Sequence, residues 1–309
     1  MSGRILITNG DHAANALAAY FPDADILIWR DVLVEGPVPG GIGDEALADI
    51  RARHIEDAFG MHDVRADFTR RDQAFSRIKP SDRVELWFET DLHDQLQLIQ
   101  VLSRFLALPD IPELWLTLAA PPLIQHIDEM ERRLAKVTKV QLAEGAELWT
   151  AFRSPDPGPA IEAAGADGAL PEARTALYRL LEEYPASHDG LGRIERNALL
   201  AIRDGAIAPT LAFRHYQQTE ALLFLGDLGF FHRLDALAFA AHPLIKGIPE
   251  GGIAQASRTK QTLEYAHAQI ELTETAHRTL EGKADFVKLN GINRWIGGVH
   301  LTGQNIWRR

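Results

Sequence analysis

The chain contains no cysteine, which excludes disulfides, iron–sulfur clusters and cysteine-bound zinc. It also has no apolar run approaching the roughly 20 residues that cross a bilayer. Its first residues, MSGRILITNGD, enter a predicted strand without the basic start, apolar middle and cleavage site of a leader. The expectation is a cytoplasmic protein with no membrane partner. Positive charge is scarce: 32 Lys and Arg stand against 43 Asp and Glu, a net −11, which argues against a chain-wide polyanion-binding surface. The deficit is uneven, because from Lys246 to Arg309 nine Lys and Arg outnumber six Asp and Glu. A local nucleic-acid contact there is permitted without being demanded. Signature motifs are absent as well. There is no G-x-G-x-x-G, no G-x-x-x-x-G-K-[ST], no G-x-S-x-G and no H-E-x-x-H. A standard dinucleotide site, a P-loop, a serine nucleophile elbow and a zinc-protease helix are thereby disfavoured.

The composition that is present is ordinary for a globular protein, 46% hydrophobic and 24% charged, in 309 residues, enough for two domains. Short apolar runs at Ile5–Thr8, Ile26–Trp29, Val84–Phe88 and Glu113–Leu118 read as strands. Helical segments alternate with them: about Ala13–Tyr20, Asp44–Phe59, Arg71–Ile78, a stretch from Asp91, and Leu123–Lys136. In the helix after Asp91, Leu92, Leu96, Ile99, Leu102 and Leu106 recur at three- and four-residue steps on one face. Alternation of this kind predicts a parallel sheet covered on both faces. Residues 154–171, SPDPGPAIEAAGADGALP, lack apolar periodicity and read as a linker. Beyond it the chain reads as mostly helical, at Glu172–Tyr184, Arg193–Arg203, Thr219–Phe224 and Phe230–Ala240. The expected fold is α/β: an N-terminal parallel-sheet, Rossmann-like domain over 1–152, a linker over 153–171, and a mostly helical, winged-helix-like domain over 172–309.

Three predicted strands run into polar clusters, and in an open parallel sheet such ends line the ligand crevice. The first is Asn9-Gly10-Asp11, where a helix N-terminus offers unpaired N–H groups to an anion, or where Asn9 or Asp11 simply caps the helix. The second is Arg30-Asp31, whose guanidinium can fork onto a carboxylate or phosphate or pair with neighbouring acids; Glu35-Gly36-Pro37 comes after it as a turn. The third is Glu89-Thr90-Asp91-Leu92-His93-Asp94-Gln95. Capping explains Asp91 and Asp94 but not Glu89, whose apolar neighbours suit a raised pKa and a general acid or base. Asp91 and Gln95, four apart, share a helix face. Asp11, Glu89, Asp91 and Asp94 are hard oxygen donors suited to Mg²⁺ or Mn²⁺, and His12 or His93 would widen the choice. No metal signature frames them, so no metal and no cofactor is assigned.

In the C-terminal part, the helix expected over residues 272–280, stopped by Gly282, precedes a Gly-Gly hairpin near Trp295–Leu301 and resembles the last helix and wing of winged-helix domains. Arg294, Arg308 and Arg309 would be its phosphate contacts if DNA were bound. No clearly basic recognition helix accompanies them.

ITNGD, WRDVL-x-EGPVP and above all LWFE-x-DLHDQLQL resemble stretches of the bacterial domain-of-unknown-function family 1835, in the same order. GLGRIER, FLGDLGFF and RWIGGVHL are similar to the region beyond that domain in longer members. The resemblance covers most of the chain, is poorest in the linker, and implies no catalytic assignment. It supports treating the three clusters as one unit. The expected function is binding of a polar, anionic small molecule, a nucleotide or phosphorylated metabolite, at the strand ends. Arg30 and the helix N-terminus after Gly10 would hold the anion, Glu89 or Asp11 would act as base, and Asp91 and Gln95 would orient substrate or a metal in a hydrolase or transferase, with Asn9, Asp31 and Asp94 also lining the ligand site. The alternative is a ligand-sensing regulator whose C-terminal module binds DNA or a protein partner. A third reading is an assembly module in which every acid is a cap. The sequence sets no oligomeric state.

Overall fold

The computed structural model describes residues 3–221, 224–303 and 306–309. The chain opens with β1 (Arg4–Asn9), α1 (Gly10–Tyr20) and β2 (Asp25–Trp29), then α2 (Asp44–Phe59) and α3 (Val64–Ser76). It continues through β3 (Arg83–Glu89), α4 (Leu92–Leu106), β4 (Glu113–Ala119), α5 (Ile127–Arg133), β5 (Ala135–Lys136), α6 (Lys139–Phe152) and α7 (Gly158–Gly165). Two compact units result, and they do not follow chain order. Unit 1 takes the chain up to Val34, then Pro39–Ile42 and Arg65–Tyr178; unit 2 takes Glu35–Val38, Gly43–Val64 and Arg179–Arg309. The expected division at residues 153–171 is therefore not the division of the fold. α2 belongs to unit 2, and the Pro/Gly/Ala stretch lies inside unit 1 and contains α7.

Unit 1 is an α/β layer with sheet order β2-β1-β3-β4-β5, parallel except for the short β5. The helix expected over 123–136 is instead a 3₁₀ turn at Leu123–Gln125, then α5, then β5 antiparallel to β4. On one side of the sheet Leu6 and Trp87 pack with Leu17 and Phe21 of α1 and with Leu123, Ile127 and Met130. On β2 the Trp29 ring meets Phe75 edge-on, and the guanidinium of Arg71 stands 4.6 Å from its centre. α4 is buried almost all round, with Gln95, Gln97 and Gln100 inside along with its leucines. Trp29 Nε1 donates to Gln100 Oε1 at 2.9 Å, which satisfies one of these buried amides. Side chains alternate along a strand, so Asn9 shares the face of Ile7, whereas Glu89 shares the face of Glu85 and Trp87.

Unit 2 is mostly helical. After α8 (Pro171–Leu181), which begins in unit 1, come α9 (Arg193–Arg203), α10 (Pro209–Thr219) and α11 (Asp227–Ala238). β6 (Ile245–Lys246), α12 (Gly252–Arg258), α13 (Thr262–Ala266) and β7 (Glu271–Leu272) follow. Last are α14 (Glu274–Leu280), α15 (Phe286–Asn290) and the hairpin of β8 (Ile292–Ile296) and β9 (Val299–Gly303). The helix expected at Thr219–Phe224 is displaced: α10 starts on Pro209, whose fixed φ suits a first helical turn, and ends at Thr219. Leu222 and Leu223 of that expected segment lie outside the described residues. α14 is capped by Thr273, whose side chain accepts from the Ala276 N–H, and the chain leaves through Gly282 at φ +71°. No described helix is long and apolar enough to cross a membrane.

Candidate functional site at the strand ends of unit 1

The order β2-β1-β3 makes the gap between β1 and β3 the switch point of the sheet, because the chain leaves β1 in one direction and β3 in the other. Asn9 ends β1 there and Glu89 ends β3. Asn9 is the N-cap of α1, yet its side chain makes no capping bond. Its Nδ2 donates to Asp94 Oδ1 at 2.5 Å, and its Oδ1 accepts from Gln97 Nε2 at 3.1 Å. The other Asp94 oxygen accepts from the Glu89 N–H at 2.5 Å. One carboxylate therefore clasps both strand ends. Gln95 Nε2 donates to the Glu89 carbonyl at 2.7 Å, and Gln97 Nε2 also donates to the Asp31 carbonyl at 2.8 Å.

Capping accounts for part of the acidic stretch. Asp91 is the N-cap of α4 and accepts from the Asp94 N–H at 2.9 Å. Glu89 turns to the opposite face, where its carboxylate accepts from the Leu123 N–H. Even so, Glu89, Asp91 and Asp94 each place a carboxylate oxygen within 4.8 Å of the other two. Three negative charges cannot be held cheaply this close inside a protein. Burial pushes Asp91 up to about 6, against the N–H groups of Asp94 and His93 that favour its charged form. Burial, with the charge of Asp91 added, pushes Asp94 well above the usual carboxylate range. Burial also raises Glu89, opposed by the Leu123 N–H and reinforced by the charge and hydrogen bond of Asp91. The group is built to share protons or to hold a hard divalent cation, for which its oxygen donors are the right chemistry.

The other expected residues fall outside this cluster. Arg30 forms an ion pair with Asp11, both well exposed, so its guanidinium is engaged in a weak surface bridge. Gly10 adopts φ +67° at the first turn of α1, where a side chain would meet nothing within 4 Å. Asp31 is buried and contributes its carbonyl to Gln97. Sequence reasoning missed Gln97, the residue that ties Asn9 to the end of β2. Its signal was the alternation of three glutamines, Gln95, Gln97 and Gln100, with the apolar residues of α4. Buried oxygens without a hydrogen-bond partner remain nearby: Thr8 Oγ1, Gln95 Oε1 and Gln97 Oε1. The two amide oxygens are acceptors without a donor, and the Thr8 hydroxyl can donate or accept.

The arginines expected to touch DNA are occupied within unit 2. Arg294 binds Glu195 at 2.7 Å and the Glu183 carbonyl at 3.1 Å, Arg308 pairs with Asp285 at 2.7 Å, and Arg309 Nε donates to the Tyr184 carbonyl at 3.2 Å. Comparison with known protein families gives no match for this chain, and comparison with curated proteins gives none.

Proposed function

We propose that the β1 and β3 ends of unit 1 bind a small polar molecule rich in N–H or O–H donors and carry out acid/base chemistry on it, as a hydrolase or transferase. The observation that carries this reading is the triad Glu89, Asp91 and Asp94 at the switch point, with oxygens within 4.8 Å and carboxyls whose pKa values burial raises. Glu89 and Asp91 would be the proton-sharing pair, one donating while the other accepts, as efficient general acids and bases need pKa values near the working pH. Asn9 and Asp94 would fix their positions. The ligand class differs from the anion that residue types alone suggest. The unpaired Gln95 and Gln97 oxygens can accept from such donors, and Arg30, paired with the exposed Asp11, stands outside the triad.

A thermal-shift series with nucleosides, sugars, amines, Mg²⁺ and Mn²⁺ tests the reading. A ligand at 100 times its Kd adds about 2.7 kcal/mol, a readily seen rise in Tm. The rise should disappear in Glu89→Gln and Asp91→Asn. If no compound shifts the parent, or both variants respond as the parent does, the site loses its support. The regulatory alternative keeps one supporting feature, the hairpin of β8 and β9 after helices α14 and α15, which is the order of a winged helix. Its phosphate-contact arginines all have internal partners, so the enzyme reading is preferred.

A further inference from the structure

Unit 2 holds a cavity of about 780 Å³ that opens to solvent, a size suited to a small metabolite. Its wall includes Glu35, His54, Glu195, His232, Arg233 and Arg294, which come from the turn after β2, from α2, α9 and α11, and from β8. Glu35, Glu195 and Arg233 are buried charges, and Arg294 is mostly covered. Arg233 Nε donates to Glu35 Oε1 at 2.8 Å, with both side chains about 4% exposed. Arg294 gives its two terminal amino groups to Glu195 and to the Glu183 carbonyl. Glu195 also accepts from the Gly192 N–H at 2.7 Å.

Counting donors against acceptors at this wall gives an imbalance. Arg233 uses only Nε, and its two terminal amino groups donate no hydrogen bond among the described residues. Arg294 Nε is buried without a partner, and so is His232 Nδ1, which lies 3.9 Å from Glu35 Oε2, beyond hydrogen-bond reach. A guanidinium carries five N–H donors and no acceptor, so Arg233 leaves four of them for whatever fills the cavity it lines. Each guanidinium already has a carboxylate partner, Glu35 for Arg233 and Glu195 for Arg294, so the terminal donors of Arg233 that face the cavity are free to meet an acceptor-rich group there. Burial lowers Arg294 against the raising charges of Glu195, Glu183 and Glu35, and the nearby charge of Arg233 lowers it further.

We infer that this cavity is a second binding site, independent of the strand ends of unit 1, and that it takes a small-molecule oxyanion, a carboxylate or a phosphate, gripped by the terminal amino groups of Arg233, with Arg294 beside it in the wall. Arginine suits this task because its planar fork meets the two oxygens of such a group in parallel. Glu35 holds Arg233 in place from behind, and Arg51, buried in α2, donates in turn to the Glu35 and Pro37 carbonyls. Gly36 completes the seat. It has φ +76°, and a Cβ there would lie 2.1 Å from the His54 ring. Trp295, stacked on His300 with ring centres 4.4 Å apart, gives the same wall a flat apolar surface for the body of the ligand.

The experiment titrates the full chain with benzoate and, separately, with inorganic phosphate at constant ionic strength in sodium chloride, following the arginine Nε–H signals by NMR. Saturable displacement of the Arg233 and Arg294 signals by either anion is expected, and the anion that does it distinguishes a carboxylate ligand from a phosphate one. Arg233→Lys keeps the charge for Glu35 but loses the fork, and should bind roughly tenfold more weakly or worse. Asp91→Asn, in unit 1, should retain the parent response, which separates this site from the one proposed above. No saturable displacement by either anion, or displacement undiminished in Arg233→Lys, would overturn the inference. Should Arg233→Lys fail to fold, the parent signals decide: displacement of both arginines upholds the site and silence removes it.

Discussion

Replacing Asp91 by asparagine separates the two roles that the structure gives this side chain. As an N-cap it accepts from the Asp94 N–H, which the asparagine oxygen does equally well. As a member of the triad it carries a charge that burial resists, and this role asparagine cannot play. The unfolded carboxyl titrates near 3.8 and the folded one near 6. Between those values the folded protein binds the extra proton, so stability falls as pH rises through this window and the loss is complete above it. A rise of this size is worth about 3 kcal/mol. Roughly half of that is already lost at pH 5, so between pH 5 and pH 8 the variant should gain roughly 1–2 kcal/mol on the parent. Urea denaturation at intervals across this range, in EDTA, measures the gap. Four of the six tryptophans, Trp29, Trp87, Trp115 and Trp149, lie in unit 1, so fluorescence reports mainly on the relevant unit. A gap that stays constant from pH 5 to pH 8 would refute the argument, because it would mean that Asp91 titrates as an ordinary exposed acid. If Mg²⁺ or Mn²⁺ occupies the triad, adding it in place of EDTA should flatten the slope of the parent and leave the variant unchanged.

Leu17→Ala removes the centre of the apolar cluster between α1 and Trp87 and should cost roughly 2–5 kcal/mol in chemical denaturation. Glu144 in α6 is buried and accepts from the Ala169 N–H at 2.5 Å, the Leu170 N–H at 3.2 Å and Arg174 Nε at 2.7 Å. Glu144→Ala should therefore cost about 3 kcal/mol and expose residues 158–170 to limited proteolysis, whereas unchanged cleavage would show that this segment is held otherwise. Gly36→Ala adds a methyl group against the His54 ring at a positive φ and should lower stability by about 1–3 kcal/mol, measured by calorimetry.

Much of unit 1 was legible because its strands are buried apolar runs, and β1 to β4 lie within two residues of their expected ends. In unit 2, α2 and α9 start and stop where the pattern does. α7 left no such trace. It has no buried residue, so no apolar period marks it, and its glycines and prolines read as a linker. The membership of α2 in unit 2 was hidden for another reason: position along the chain says nothing about which core a helix joins. At the strand ends, residue type and place brought Asn9, Glu89, Asp91 and Asp94 to attention. Arg30 drew attention by the same logic, but its partner is the exposed Asp11 in the first turn of α1, and residue type alone does not distinguish a surface pair from an anion clamp.

The cavity of unit 2 was the least legible feature, yet part of its signal is in the sequence. In α11, Phe230, Arg233, Leu234 and Leu237 fall at the i, i+3, i+4 and i+7 spacing of one helix face, and in α2 Leu47, Arg51 and Ile55 follow one another at steps of four. An arginine within an apolar stripe has two outcomes: it snorkels to water along its stem, or it is buried against a carboxylate or carbonyl. Arg51 and Arg233 take the second. The pattern cannot supply the partner, because Glu35 lies 198 residues from Arg233 in the chain. A charged residue at a core position therefore announces an internal polar contact without saying where the other half comes from. Only the fold brings Glu35, which the sequence presents as a turn acid, to the guanidinium that needs it.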